Sequence, residues 1–227
     1  MRHLSWLILA AAPLLLAAIA PAAAQDAQLG VYVVTYVDVQ AASAKAGAAL
    51  LKRYRDAARK ENGNIEAELG QEIGRGNRFV QIEAWRDLAA FEAHDKAEAT
   101  ARIRDALDAI RHSPADRRMN TAFDVAPARG KGELIVETHV DVIPPRRGAT
   151  EVALKAEATA TRQDAGNLRW DVFQQLAPQT NHFNVFAVWR TRQDFARHET
   201  AAHRGQFRDT LAPLLGALYD ERLYERL

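Results

Sequence analysis

The chain has 227 residues, 48% hydrophobic and 26% charged, with no cysteine and a formal charge of +1. That size suits one or two globular domains. The absence of thiols excludes a disulfide framework, a thiolate metal site and a lipid anchor on cysteine. Balanced charge without a basic stripe argues against nucleic acid as a partner.

Met1-Arg2-His3 is a basic start, Leu4 to Ala20 an apolar run broken by Pro13, and Ala22-Ala23-Ala24 a small-residue cleavage site. The pattern predicts a secretory signal peptide over residues 1–24, cleaved before Gln25. Its apolar stretch is short for a membrane span. The expectation is a periplasmic or secreted protein with no membrane attachment after cleavage. Without Arg2 the mature chain balances 29 acidic residues with as many basic ones.

Val31 to Val39 is β-branched and aromatic, with apolar residues on both alternating faces, which predicts a strand covered on both sides. Ala41 to Asn62 predicts a helix whose apolar stripe is Leu50, Leu51, Tyr54, Ala57 and Ala58. Gly63-Asn64 ends it, since both residues tolerate positive φ. Ile65 to Ile73 and Arg78 to Trp85 read as strands joined by a turn at Gly74–Asn77. Asp87 is an N-cap for a helix carrying Phe91, Ile103, Leu107 and Ile110, which Pro114 ends. Thr121 to Val125 is a short fourth strand.

Residues 127–132 are a linker by composition, and then the order repeats. Leu134 to Val142 is a strand, a helix runs from about Gly148 to Asp164, and Gly166-Asn167 ends it. Leu168 to Leu176 and Phe183 to Trp189 form a hairpin, Thr191 with Asp194 resembles a capping box, and Tyr219 to Leu227 is the closing strand. Each unit, 29–126 and 133–227, therefore reads β-α-β-β-α-β, the α+β ferredoxin-like order. Two helices cover one face of a four-stranded sheet, so the doubly apolar strands need a second cover. The sheet of the other unit supplies it, giving a dimeric α+β barrel inside one chain. Pairing of whole chains into a homodimer stays open.

Trp189 to His203 is the segment richest in chemistry, and its first half occurs twice. Trp85, Phe91 and His94 repeat as Trp189, Phe195 and His198, 104 positions on. A strand ending in Trp, followed by a helix carrying Phe and His, can wall a small-molecule cavity. The alternative is that the rings are core and each His half-exposed. His198 and His203 sit about 140° apart on an ideal helix, so they share a pocket only if the helix breaks between them. Without i,i+4 spacing no metal is expected. His139 faces away from Thr138, toward the sheet–sheet contact, and His112 and His182 read as solvated.

The tandem resembles two antibiotic biosynthesis monooxygenase domains of the dimeric α+β barrel superfamily. The resemblance is carried by Gly63-Asn64 and Gly166-Asn167, by the repeated Trp-x5-Phe-x2-His, by His203, by Leu211-Ala-Pro-Leu-Leu, and by Tyr219-Asp-Glu-Arg-Leu-Tyr. Such proteins include small oxygenases that act on quinols and polycyclic phenols without metal or flavin. The resemblance implies deprotonation of a phenolic substrate, electron transfer from the anion to O2, and recombination at carbon, with no cofactor. A desolvated aromatic pocket and a base titrating near working pH would suffice, and His is suited.

Members often carry Glu two residues before the Trp; Glu83 keeps it, whereas the second unit has Ala187. The second unit alone has His203, where the first has Ala99, and Trp170, where the first has Ala67. The Asn, Trp and His of haem-degrading relatives are not matched, since the corresponding positions hold Thr35 and Thr138, His94 and His198, Arg104 and Arg208. The expectation is a pocket in the second unit for a small aromatic, quinol-like molecule, with His198 or His203 as base. Trp170, Trp189 and Phe195 would form its wall beside Thr138, and Arg208 would steady the oxyanion, unless Arg208 merely snorkels along its helix. The alternative is a non-catalytic exported binding protein that keeps the fold.

Overall fold

The first strand shows how the chain is built. Val31–Asp38 (β1) turns Val31, Val33 and Val37 toward helices, and Tyr32, Val34 and Tyr36 toward an opposite, equally apolar interior. The computed structural model describes residues 30–227, so the expected signal peptide lies outside the described residues. After β1 come α1 (Ala44–Ala58), β2 (Asn64–Glu72), β3 (Arg78–Trp85), α2 (Leu88–Lys96), α3 (Glu98–Asp108) and β4 (Asp116–Asp124). The second unit follows as β5 (Leu134–Asp141), α4 (Arg147–Thr161), β6 (Asn167–Gln175), β7 (His182–Trp189), α5 (Arg192–Glu199), α6 (Ala202–Leu211) and β8 (Asp220–Arg226).

Each unit forms an antiparallel four-stranded sheet, and the two sheets close on each other in the order β1-β3-β2-β8-β5-β7-β6-β4. One seam pairs β2 with β8 from Gly70↔Arg226 to Glu72↔Tyr224; the other pairs β4 with β6 from Asn120↔Gln175 to Asp124↔Val172. The expected barrel is therefore present, and it is closed by backbone hydrogen bonds at both edges as well as by packed faces. Closure leaves no free sheet edge, the usual route to aggregation. Its interior holds Val34, Val80, Ile82, Ile135, Phe173, Phe186 and Tyr224, and Tyr32 stacks on Phe173 across the β4–β6 seam at 4.5 Å. At its centre Tyr36 Oη donates to the Glu137 carboxylate, while Asn184 Nδ2 donates to Glu137 Oε1 at 2.7 Å. Burial pushes the Glu137 carboxyl up to about 7.

Several boundaries differ from expectation for local reasons. The helix expected from Ala41 opens with a 3-10 turn, Ala41–Ser43, and becomes α-helical only at Ala44. Strand β4 begins at Asp116, well before Thr121, because β1 pairs with it as far as Tyr36↔Asp116 despite its polar sequence. The single helix expected after each Trp is two helices. Ala97 (φ −63°, ψ 136°) and Ala201 (φ −70°, ψ 145°) are extended and break the hydrogen-bond ladder.

The two Gly-Asn turns are where positive φ is required. Gly63 (φ 91°) and Gly166 (φ 86°) each accept the backbone N–H that follows the conserved-spacing Trp, from Arg86 at 2.8 Å and Arg190 at 2.9 Å. A Cβ on Gly166 would lie 2.2 Å from the Asp194 carboxyl carbon, so the turn and the capping box of α5 fit only without a side chain there.

Because each sheet buries its inner face only against the other, residues 25–128 and 130–227 produced separately should self-pair or aggregate. Sedimentation of each half is the check, and a stable folded monomer of either half would contradict the closed barrel as a folding unit.

Candidate functional site

In both units the same frame holds an imidazole between sheet and helices. An N-cap fixes the helix that carries it: Asp87 accepts from Ala90 N at 2.7 Å, and Thr191 with Asp194 forms the expected capping box. The Trp at the strand end packs on the ring, Trp85 stacked on His94 at 4.7 Å and Trp189 against His198 at 4.8 Å. A carboxylate just past the first helix of the unit takes the Nδ1–H, Glu61 from His94 at 2.9 Å and Asp164 from His198 at 2.8 Å. That leaves Nε2 of each ring as an acceptor. Both imidazoles are buried.

What faces Nε2 differs. In the first unit the Tyr54 hydroxyl lies 2.8 Å from His94 Nε2 and 3.4 Å from Glu83 Oε2. In the second unit Glu157 occupies the position of Tyr54, with Oε1 3.9 Å from His198 Nε2. Glu83 stands opposite Ala67 in the β2–β3 ladder, whereas Ala187 stands opposite Trp170 in β6–β7. The large and small side chains have changed strands, and the Trp170 indole, 5.4 Å from His198, takes the space a carboxylate holds in the first unit.

The first unit also keeps a cavity of about 160 Å³, lined by Thr35, Tyr54, Gln81, Arg104, Leu107 and Arg117 among others. Arg104 and Arg117 both pair with Asp95, Arg117 at 2.8 Å. Asp105 and an Arg111–Asp108 pair line the same cavity, so the two guanidiniums stand at a wall of balanced charge. Burial pushes the Glu83 carboxyl up to about 7 and raises the Tyr54 phenol further.

In the second unit the corresponding space is filled. Arg204 is almost wholly buried; its Nε donates to Glu199 at 2.8 Å, Nη2 to Glu221 at 2.5 Å and Nη1 to Tyr219 Oη at 3.1 Å. Thr138, the counterpart of the cavity-lining Thr35, donates to Glu221 at 3.3 Å. Arg208 is half-exposed, lies 4.5 Å over the Tyr219 ring and 3.8 Å from Glu221, and contacts neither histidine. The placing of Thr138 and Arg208 in one pocket with His198 is corrected accordingly: an internal ion-pair cluster separates them from the imidazoles.

His198, His203, Trp170, Trp189 and Phe195 are brought together as expected. The break at Ala201 is the one geometry that allows it, and it sets the His198 and His203 rings 5.4 Å apart. Burial pushes the His198 imidazole down to about 4 in spite of its bond to Asp164. Burial opposes the charge on His203 too, yet hydrogen bonds with Glu157 and Asp164 outweigh it and raise its pKa. A groove of about 400 Å³, lined by Ala149, Val152, Ala153, Ala156, Ala160 and Phe207, opens onto Glu157 and His203. Sequence reasoning missed Tyr54, Gln81 and Arg117 in the first unit, and Glu157 and Asp164 in the second. The repeat held the signal, since the spacing that matches Gly63 with Gly166 also matches Tyr54 with Glu157 and Glu61 with Asp164.

A closed barrel of two ferredoxin-like sheets with an imidazole under each helix layer defines a dimeric α+β barrel protein whose two halves are fused. The family signature of the antibiotic biosynthesis monooxygenases matches residues 30–106 and 134–210, and the chain belongs to that family. Solved structures show the same fold over nearly their whole length. A protein from Fusobacterium nucleatum assigned as a monooxygenase superposes with a TM-score of 0.77 at 15% identity, covering 88% of this chain and 93% of its own. One from Lactobacillus acidophilus, assigned likewise, gives 0.72 at 12% identity, covering 87% and 94%. An anthrone oxidase-like protein gives 0.69 at 12% identity, covering 87% and 91%. No curated protein matches the sequence.

The Glu83 carboxyl yields a stability prediction. Its pKa rises from 4.5 to about 7 on folding, so the folded state holds the proton more tightly than the unfolded chain. Its contribution is fully present below pH 4.5 and lost as pH rises to about 7, a loss on the order of 3 kcal/mol. Glu83→Gln removes this dependence. Denaturant unfolding should show the variant gaining on the native chain between pH 5 and pH 8, and parallel pH profiles would contradict the assignment.

Proposed function

We propose that the protein is a monooxygenase acting on a single-ring phenol or quinol, that the substrate itself supplies the electrons, and that the reaction takes place in the cavity of the first unit. The observation that carries this reading is the Tyr54 hydroxyl at the cavity wall, 2.8 Å from His94 Nε2. The size supports this substrate class: an apolar cavity of about 150 Å³ accepts benzene, and this one measures about 160 Å³.

Tyr54 passes its proton to His94 Nε2 while its oxygen accepts the substrate hydroxyl proton. Glu61 at 2.9 Å and Glu83 at 3.7 Å stabilise the imidazolium that forms, and the Arg104–Arg117 pair stabilises the phenolate. The phenolate gives one electron to O2, and the resulting radical and superoxide join at a ring carbon. Protonation by the same relay gives a hydroperoxide, which loses water by breaking its O–O and C–H bonds. One oxygen atom remains as a carbonyl and the other leaves as water, so phenol and O2 balance quinone and water. His198 is buried against its charge, and His203 bridges two carboxylates that raise its pKa and keep its ring nitrogens occupied, so neither is free to take the substrate proton.

The test is oxygen uptake by purified protein with a panel of phenols and quinols, corrected for autoxidation. Tyr54→Phe should lower the protein-dependent rate by roughly 100-fold or more, the scale of positioned proton transfer, and His203→Ala should leave it unchanged. Saturable quenching of Trp fluorescence without any uptake would instead support a binding protein and overturn the enzymatic reading.

A further inference from the structure

We propose that the second unit carries a binding site for a divalent transition metal, zinc in the first instance, formed by Glu157, His198 and His203. Their ligand atoms lie within 4.8 Å of one another. Asp164 organises them: it accepts the Nδ1–H of His198 at 2.8 Å and the Nε2–H of His203 at 3.1 Å on the same oxygen. With its own proton committed, His198 turns the Nε2 lone pair toward Glu157 Oε1 at 3.9 Å, while His203 Nδ1 lies 3.1 Å from Glu157 Oε2 and shares a proton with it that a metal would displace. A carboxylate facing two imidazole nitrogens holds a cation between them, either the proton of His203 or a metal that displaces it.

Glu157 is 3% exposed and His198 2%, and neither Glu157 Oε1 nor His198 Nε2 has a hydrogen-bond partner among the described residues. Unpaired polar atoms at that depth are costly unless they coordinate something. The donor set, two neutral imidazoles and one carboxylate, is that of zinc sites with an open fourth position, and a carboxylate holding the remaining imidazole N–H is the usual outer support of such sites. The open side faces the alanine-lined groove, where His203 and Glu157 are reached. Water or an anionic oxygen of a small molecule in that groove would complete the coordination.

The arrangement belongs to this unit alone. At the matching positions of the first unit stand Tyr54 and Ala99, so one ligand is a phenol and another is missing. It also depends on the extended Ala201, which swings His203 back beside His198. The proposal is independent of the phenol chemistry assigned to the first unit.

The full-length chain, stripped with a chelator, is titrated with Zn2+ against a chromophoric indicator, and Co2+ serves as a spectroscopic probe of the same site. One Zn2+ per chain is expected, with visible Co2+ bands of four-coordinate intensity. Glu157→Gln and His203→Ala should each weaken binding at least about tenfold, as should Asp164→Asn, which keeps all three ligands and loses only their support. His203→Ala installs the residue the first unit already carries there, and circular dichroism establishes that each variant is folded. No Zn2+ uptake beyond the indicator background would overturn the proposal, leaving only a protonated His203 bridging two carboxylates. Uptake undiminished in Glu157→Gln and Asp164→Asn would overturn it too, by placing the metal elsewhere.

Discussion

Closure of the barrel is the constraint on which everything else depends. Eight strands share one ring of hydrogen bonds, so neither sheet has an edge or an inner face of its own. The buried Tyr36–Glu137–Asn184 cluster crosses from one unit to the other at the centre. Such a polar core favours one register over neighbouring ones, because a slip of one residue would leave a buried carboxylate unpaired. Helices then have only one place to go, the outer face, and the site in each unit is the layer between helices and sheet.

Fusing the halves changes what evolution can do with those two layers. In a pair of identical chains, a substitution that helps one site is imposed on both. Within a single chain the halves separate, and here they have. The frame of Trp, capped helix, imidazole and carboxylate is kept twice, at closely similar distances. Around it the first unit holds a cavity with a phenol and two guanidiniums, while the second fills that space with Arg204, Tyr219 and Glu221.

The architecture was legible because it is written in patterns that do not depend on partners. Doubly apolar Val31–Val39 demanded two covers, the Gly-Asn turns marked positive φ, and Thr191 with Asp194 marked a helix start. The site was only half legible. The break at Ala201 has neither glycine nor proline beside it, so an extended residue in Glu199-Thr200-Ala201-Ala202 leaves no local trace. Tyr54 fitted the apolar stripe of its helix, and its ring is indeed buried; only the fold shows its hydroxyl meeting His94. Arg208 looked like the cation of the site because it matches Arg104. Glu221, standing where the first unit has Arg117, pairs closely with Arg204, and Arg208 stays half-exposed over the Tyr219 ring instead.

That last exchange shows why the differences between the units form sets. Arg117 in the first unit becomes Glu221 in the second, and Thr100 becomes Arg204, so the charge crosses from strand to helix and the buried guanidinium keeps a partner. Ala67 and Glu83 become Trp170 and Ala187, which moves the large side chain to the other strand of one ladder pair while removing a carboxylate. Tyr54 and Ala99 become Glu157 and His203, which restores a carboxylate on the opposite, helical side of the imidazole and adds a second ring. Several of these changes made alone, Glu83 to Ala or Thr100 to Arg among them, would leave a void or an unpaired charge in a buried place, both expensive. Made together they move the acid from sheet to helix and turn a phenol-lined chamber into a cluster of nitrogen and oxygen ligands. The two units are thus one scaffold holding two different chemical environments around the same histidine.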